Sequence, residues 1–276
     1  MITFGDECPI GVFDSGLGGL SVLKEIHHLL PHENLIYVGD SVHAPYGDKS
    51  AKYVQQRSQQ ITEFLLNQGA KAIVIACNTA TAEAAEILRT NVDVPVIGLE
   101  PAIKPASQLS KNGVIGVLAT QRTINSERLL GLTERYAQDK KVLAQACPGL
   151  VEQVEAYELN SDKTISLLKK YILPLLDQGV DALILGCTHY PFLLPEIRHI
   201  IGSDIEVLET GIPVARQLQR ILKDHQLERY CFNVEGGATC KATLSIYNSS
   251  NKKQAHLTMK KLWKDPISIK VLPELN

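Results

Sequence analysis

The sequence predicts an α/β protein of two similar α/β domains with mostly parallel sheets, pseudo-symmetric, with a site in the cleft between them. Three observations carry this. Short, β-branched apolar runs alternate with longer amphipathic ones, the pattern of strand–helix–strand units with right-handed crossovers. The short runs are apolar at nearly every position, as strands covered by helices on both faces must be. The third observation is an internal repeat. AIVIACNTATA (72–82) and DALILGCTHYPFL (181–193) each join an apolar run to a cysteine and a Thr-bearing helix start.

Taken in order, the first strand is IGVF (10–13), which enters the glycine-rich turn DSGLGG before a helix over 18–30. NLIYVG (34–39) is the second strand and precedes a helix over 50–68. AIVIA (72–76) runs into Cys77 and a helix over 79–90, and VPVI (94–97) follows. The second set begins with VIGVL (114–118) and a helix over 121–136. KVLAQA (141–146) comes next, with a helix over 162–176. ALILG (182–186) meets Cys187 and a helix over 190–201, and IEVL (205–208) leads to a helix over 211–224. Pro95, Pro101, Pro105, Gly113 and Gly202 punctuate the joints. From about residue 231 the periodicity weakens, and the tail supports only a coarse reading.

The two repeated cysteines lie 187 − 77 = 110 residues apart. Upstream of each is another apolar run ending in a polar turn, IGVFDSGLGGL (10–20) and VIGVLATQRTI (114–124). Asp14 precedes Cys77 by 63 residues and Thr120 precedes Cys187 by 67. Each unit should therefore carry one thiol at the carboxyl end of a strand, where open α/β sheets bind ligands. The expected limits are 1–98 with 210–276 for the first domain and 99–209 for the second.

Composition narrows the chemistry. Lys and Arg number 28 and Asp and Glu 30, a formal charge of −2 without a basic block, which argues against nucleic acid as a partner. The cysteines stand at 8, 77, 147, 187, 231 and 240, with no C-x-x-C and no zinc spacing, so neither a disulfide scaffold nor a metal site is expected. MITFGDECPI does not read as a signal peptide, and nothing approaches the ~18–20 apolar residues of a membrane span. A cytoplasmic protein with reduced thiols is the expectation.

Cys77 and Cys187 each end a buried-type strand and open a helix. Free N–H groups and the helix dipole there should lower a thiol pKa and favour the thiolate. Two such thiols facing each other suit a two-base proton transfer. One thiolate removes a proton from a carbon and the opposing thiol returns one to the other face. Each base needs a group that manages its proton, and Asp14 and His189 are the candidates. The turn DSGLGGLSVL begins a dinucleotide fingerprint, but Ser21 stands where the third small Gly or Ala belongs, and no Walker A sequence occurs. A nucleotide cofactor is therefore not expected. The polar helix starts in DSGLGG, PYGDKS (45–50), CNTAT (77–81) and CTHYP (187–191) suit a small dicarboxylate better than a phosphate ester.

IGVFDSGLGGLSVL, YVGDSVHAPYGDKS, IVIACNTATA, VIGVLAT and LILGCTHYPFL together resemble the glutamate racemase family, in order from about residue 10 to 220. The resemblance implies a cofactor-independent isomerase. It would interconvert L- and D-glutamate by a two-cysteine mechanism and supply D-glutamate for peptidoglycan, often as a homodimer. It implies that Cys77 and Cys187 are the acid/bases and that Asp14 and His189 manage their protons. Glu155, in ACPGLVEQVE (146–155), matches a family glutamate near the second thiol. The substrate-binding pairs it implies are Asp14 and Ser15, Tyr46 and Gly47, Asn78 and Thr79, and Thr188 and His189, with Thr120 and Thr123 as further contacts. Cys8, Cys147, Cys231 and Cys240 match no catalytic position.

Two segments depart from the family pattern, LETGIPVARQ (208–217) and the tail KKLWKDPISIKVLPELN (260–276). Aspartate racemase, or a broad Asp/Glu racemase, is the nearest alternative. Aspartate racemases typically follow the second cysteine with Thr-Glu, whereas this chain has Thr188-His189. A non-catalytic amino-acid-binding relative is the reading from another class, and the retention of both cysteines weighs against it.

Overall fold

β1 (Ile10–Asp14), β2 (Leu35–Gly39), β3 (Ala72–Ile75) and β4 (Val96–Gly98) are all paired in parallel, with helices between them. The structure is a computed structural model that describes residues 7–229 and 241–275. The intervening helices are α1 (Leu20–Leu29), α2 (Ala51–Asn67) and α3 (Asn78–Asn91). After α4 (Ile103–Leu109) a second sheet is built from β5 (Val114–Ala119), β6 (Lys141–Ala146), β7 (Ala182–Leu185) and β8 (Glu206–Leu208). Its connections carry α5 (Gln121–Ile124), α6 (Glu127–Tyr136), α7 (Leu150–Glu155), α8 (Asp162–Leu176) and α9 (Leu194–Ile201). α10 (Gly211–Asp224) returns the chain to the first sheet and packs on α1. There β9 (Leu244–Asn248), α11 (Lys253–Trp263) and β10 (Ile269–Val271) complete it.

The strand orders reveal the repeat. The first sheet runs β10-β9-β2-β1-β3-β4 and the second β6-β5-β7-β8. The order β2-β1-β3-β4 thus recurs as β6-β5-β7-β8. Ile10 pairs with Ala72 in one sheet and Ile115 with Ala182 in the other. Counting from these alanines, Cys77 and Cys187 stand at the same position (77 − 72 = 187 − 182 = 5). The same register corrects one correspondence drawn from sequence offsets. Asp14 (14 − 10 = 4) is matched by Ala119 (119 − 115 = 4), and Thr120 is matched by Ser15. Motif spacing missed this by one residue because the intervening connections differ in length.

Alternate residues of the first sheet serve opposite faces, as a pleated strand requires. Val12, Val74 and Tyr37 join a core cluster with Leu118, Leu183 and Leu185, so apolar packing is continuous between the sheets. Phe13, Ile73 and Ile75 face α2 and α3 through Ile61, Leu65 and Leu88. Ile115, Val117 and Ile184 fill the outer face of the second sheet.

Two predicted helices differ in detail. The helix expected over 121–136 is broken, because the Ser126 side chain accepts from Leu129 N at 3.2 Å and starts α6 afresh. The helix expected from 190 opens as a 3-10 turn, Tyr190–Leu193, before α9. In the tail, β9 pairs with β2 in parallel and β10 with β9. LSIYN has a weak apolar signal because only Ile246 and Asn248 are buried in it. Cys231 and Cys240 lie outside the described residues.

Candidate active site

The carboxyl ends of β1, β3 and β7 deliver Asp14, Cys77 and Cys187 to one region, as parallel pairing requires. Cys77 has extended backbone and caps α3, its sulfur accepting from Ala80 N at 3.4 Å. Its thiol donates to Ser15 Oγ at 3.6 Å. Cys187 Sγ stands 3.8 Å from His189 Nδ1. Both thiols are buried and line one cavity, together with Ser15, Tyr46, Gly47, Asn78, Thr79, Thr120, Thr188 and His189. Among the described residues no Lys or Arg stands on that wall. The cavity measures only about 10 Å³, room for about one water.

The electrostatics of Cys77 differ from expectation. Burial pushes its thiol up to about 12, and Asp14 and Cys187 act in the same direction. The Ala80 N–H and the Ser15 hydroxyl pull back only in part. Desolvation therefore outweighs the helix N-terminus in the closed cavity, and Cys77 rests as a neutral thiol. His189 is fully buried, which disfavours its charge, but its hydrogen bonds to Cys187 and Glu155 outweigh that and hold the imidazole well above its ordinary value. The cavity thus pairs a protonated thiol with a second thiol beside an imidazolium.

Asp14, Glu155 and Thr123 stand behind the wall. Asp14 is fully buried, and its carboxylate accepts from Gly16 N at 2.7 Å and Thr188 Oγ1 at 3.0 Å. Burial raises its carboxyl above the usual range, against the opposing pull of His189. Glu155 Oε1 accepts from His189 Nε2 and from Leu17 N, each at 2.7 Å. It reaches the second thiol through the histidine. Thr123 Oγ1 lies 3.3 Å from Thr79 Oγ1 and 3.0 Å from Thr120 Oγ1, and those two hydroxyls are 2.9 Å apart. This ring of hydroxyls ties α3 to α5 across the two sheets. Asn78 is 5% exposed, and both its side-chain amide atoms lack a hydrogen-bond partner among the described residues. A buried polar group left open on a cavity wall is a ready ligand contact.

The glycine turn acquires a definite role. A Cβ on Gly16 would stand 2.1 Å from Glu155 Oε1, and one on Gly18 would stand 2.3 Å from His189 Nδ1. These glycines leave room for the Glu155 and His189 side chains, which reach them from the second half of the chain. Ser21, which spoiled the dinucleotide fingerprint, holds its hydroxyl 2.8 Å from Gly18 O and 2.9 Å from Thr188 O. That contact was invisible in the sequence, although Ser21 already stood out as the departure.

A larger groove of about 670 Å³ lies between β4, α4, α6 and α10, with no thiol and none of the expected residues. Cys147 is buried, lines the adjoining cavity of about 190 Å³ and not the 10 Å³ one, and donates to Gln145 O at 3.3 Å. Cys8 is half-exposed. Among the described residues no cluster of His, Cys, Asp and Glu could hold a metal ion.

The profile of the Asp/Glu/hydantoin racemase family matches residues 10–218. The chain belongs to this family. Within the Asp/Glu/hydantoin racemases, it is similar to the glutamate racemase of Ectopseudomonas mendocina, 54% identical over 222 residues, covering 80% of this chain and 84% of the relative. It is also similar to the glutamate racemase of Pseudomonas aeruginosa PAO1, 46% identical over 265 residues, covering 96% of this chain and 97% of the relative. Among solved structures, the glutamate racemase of Francisella tularensis in complex with D-glutamate superposes with a TM-score of 0.83 at 29% identity, over 97% of this chain and 98% of that one. The racemase family match ends before β9, so the tail strands lie outside the shared profile.

Proposed function

We propose that the chain is a glutamate racemase that interconverts L- and D-glutamate by proton transfer between Cys187 and Cys77. The observation that carries the reading is the shared cavity. Two thiols at equivalent register positions of two repeated sheets line it together. The similarity to glutamate racemases over nearly the whole chain supports glutamate as substrate.

In the L to D direction Cys187, as thiolate beside the His189 imidazolium, takes the α-proton. Cys77 rests as a thiol and delivers its proton to the opposite face. Cys187 ends as thiol and Cys77 as thiolate, the state that starts the reverse reaction. Resetting the pair takes one proton from Cys187 and returns one to Cys77; His189 and Asp14 are the neighbouring groups placed to manage these two transfers, and Glu155 steadies the histidine. Asn78, Thr79 and Thr188, with Ser15, Thr120 and the main chain at Tyr46 and Gly47, hold the carboxylates and the ammonium by neutral donors and acceptors. Charge developing at the α-carbon is spread into the adjacent carboxylate, where N–H groups at the helix starts stabilise it.

A cavity of about 10 Å³ is too small for an amino acid, so this reading includes an opening of the two halves to admit substrate. The proposed moving bodies are residues 1–98 with 210–276 and residues 99–209. D-Glutamate for peptidoglycan is the proposed product use, with the chain working as a homodimer in the cytoplasm, where thiols stay reduced. No helix among the described residues is long and apolar enough to cross a membrane.

The test is incubation with L-glutamate or L-aspartate in D₂O, following circular dichroism and α-deuterium uptake. Loss of rotation with α-deuteration of glutamate is expected. Racemisation of aspartate alone would sink the glutamate reading, and no exchange with either would leave an amino-acid-binding relative.

A further inference from the structure

We propose that Arg57 is a positioning residue for the site, acting through Asp40 to fix Tyr46 and the turn that walls the cavity. Neither Arg57 nor Asp40 lines that cavity. Asp40 is fully buried just beyond β2. Arg57, on α2, grips its carboxylate with a two-pronged fork, Nε to Oδ2 at 3.0 Å and Nη2 to Oδ1 at 2.9 Å. Oδ2 also accepts the Tyr46 hydroxyl at 2.6 Å. His43 Nε2 stands further off, 3.9 Å from Oδ1. Gln60 Oε1 accepts from Arg57 Nη1 at 3.0 Å and steadies the fork from the same helix.

The turn held in this way is a partition. Pro45 and Gly47 line both the catalytic cavity and a neighbouring cavity of about 190 Å³. On the far side the turn presses against the second sheet's loop, where a Cβ on Gly47 would stand 2.8 Å from Thr120 Cβ. Tyr46 is 1% exposed, and its hydroxyl has Asp40 as its anchor. Any cation would offset the Asp40 charge. Only a planar guanidinium fixes the carboxylate plane and so aims Oδ2 at Tyr46, which a lysine ammonium cannot do.

The test compares R57K, Y46F and the double variant, and its kinetic arm rests on the racemase reading. Loss of one oriented charge-assisted contact should raise KM for L-glutamate about 10-fold in R57K with kcat within about threefold. Y46F should behave alike, and the double variant should be no worse than R57K. Iodoacetamide labelling of Cys77, read by peptide mass spectrometry, reports the wall without turnover and should accelerate in both single variants. Unchanged KM and labelling in R57K, even with a lowered Tm, overturns the proposal. Effects of R57K and Y46F that multiply in the double variant also overturn it, since they would act by separate paths. If the wild-type protein racemises no glutamate, the functional reading fails, and the labelling arm still decides the role of Arg57.

Discussion

Glu155 Oε1 stands 2.7 Å from His189 Nε2, and this bond leaves the other ring nitrogen facing Cys187. The same oxygen accepts from Leu17 N at 2.7 Å, so one carboxylate aligns the histidine and anchors the glycine turn of the opposite half.

The pH dependence follows from that histidine. Its folded pKa is raised, so its contribution to stability is complete below about 6.5, the unfolded value. That contribution is lost as pH climbs through the raised folded value. Activity in the direction that begins with the Cys187 thiolate should fall over the same alkaline interval. Glu155→Gln removes the carboxylate and should move the loss to lower pH, with kcat down about 10- to 100-fold. Rate profiles against pH for both variants check this, and an unmoved alkaline limb would contradict it.

Cys77→Ser and Cys187→Ser should each lower racemisation by at least about 10³-fold, since a hydroxyl is a far weaker acid than a thiol. Cys147→Ser should stay within about threefold, at a cost of about 1 kcal/mol in stability. Polarimetry and thermal melts of the three variants read this directly. An inactive but folded Cys147→Ser would refute the division of the thiols.

Gly18→Ala tests the close approach of the halves. A methyl group 2.3 Å from His189 Nδ1 must displace the ring, and a shift of about 1 Å should cost about 100-fold in kcat. Gly131→Ala is the contrast. Nothing lies within 4 Å of its added carbon, and inside α6 it should stabilise by about 0.5–1 kcal/mol with activity unchanged. Equal losses in both would mean that backbone freedom, not the contact, explains Gly18.

Asn78→Ala should separate binding from folding. Its side-chain amide has no partner among the described residues, so truncation should leave Tm unchanged or raise it, while KM rises about 10-fold or more. A drop in Tm with KM unchanged would assign Asn78 to the scaffold instead.

Both sheets and both cysteine positions were legible in the sequence because parallel strands such as AIVI and ALIL are buried on both faces and read as unbroken apolar runs. The tail strands were not. LSIYN sits towards the sheet edge, where half-burial dilutes the signal. α4 and α7, of 7 and 6 residues, are too short to show a period. In the candidate site, the motifs named side chains that the fold gathers around one cavity, but not their electrostatics. The helix start after Cys77 suggested a lowered pKa, and burial reversed that. Arg57 carries no motif, and only the fold brings it to Asp40, 17 residues away.

The register equivalence of the two halves has a thermodynamic corollary. Cys77 matches Cys187, but Asp14 is matched by Ala119 and His189 by Thr79. The halves share a thiol at this register position and differ in the groups beside it. Enantiomers have equal free energy in achiral water, so racemisation has an equilibrium constant of one. The ratio kcat/KM must then be identical in the two directions, however unlike the two ends of the cavity. The unequal pairs can act only by trading turnover number against affinity, faster and looser for one enantiomer, slower and tighter for its mirror image.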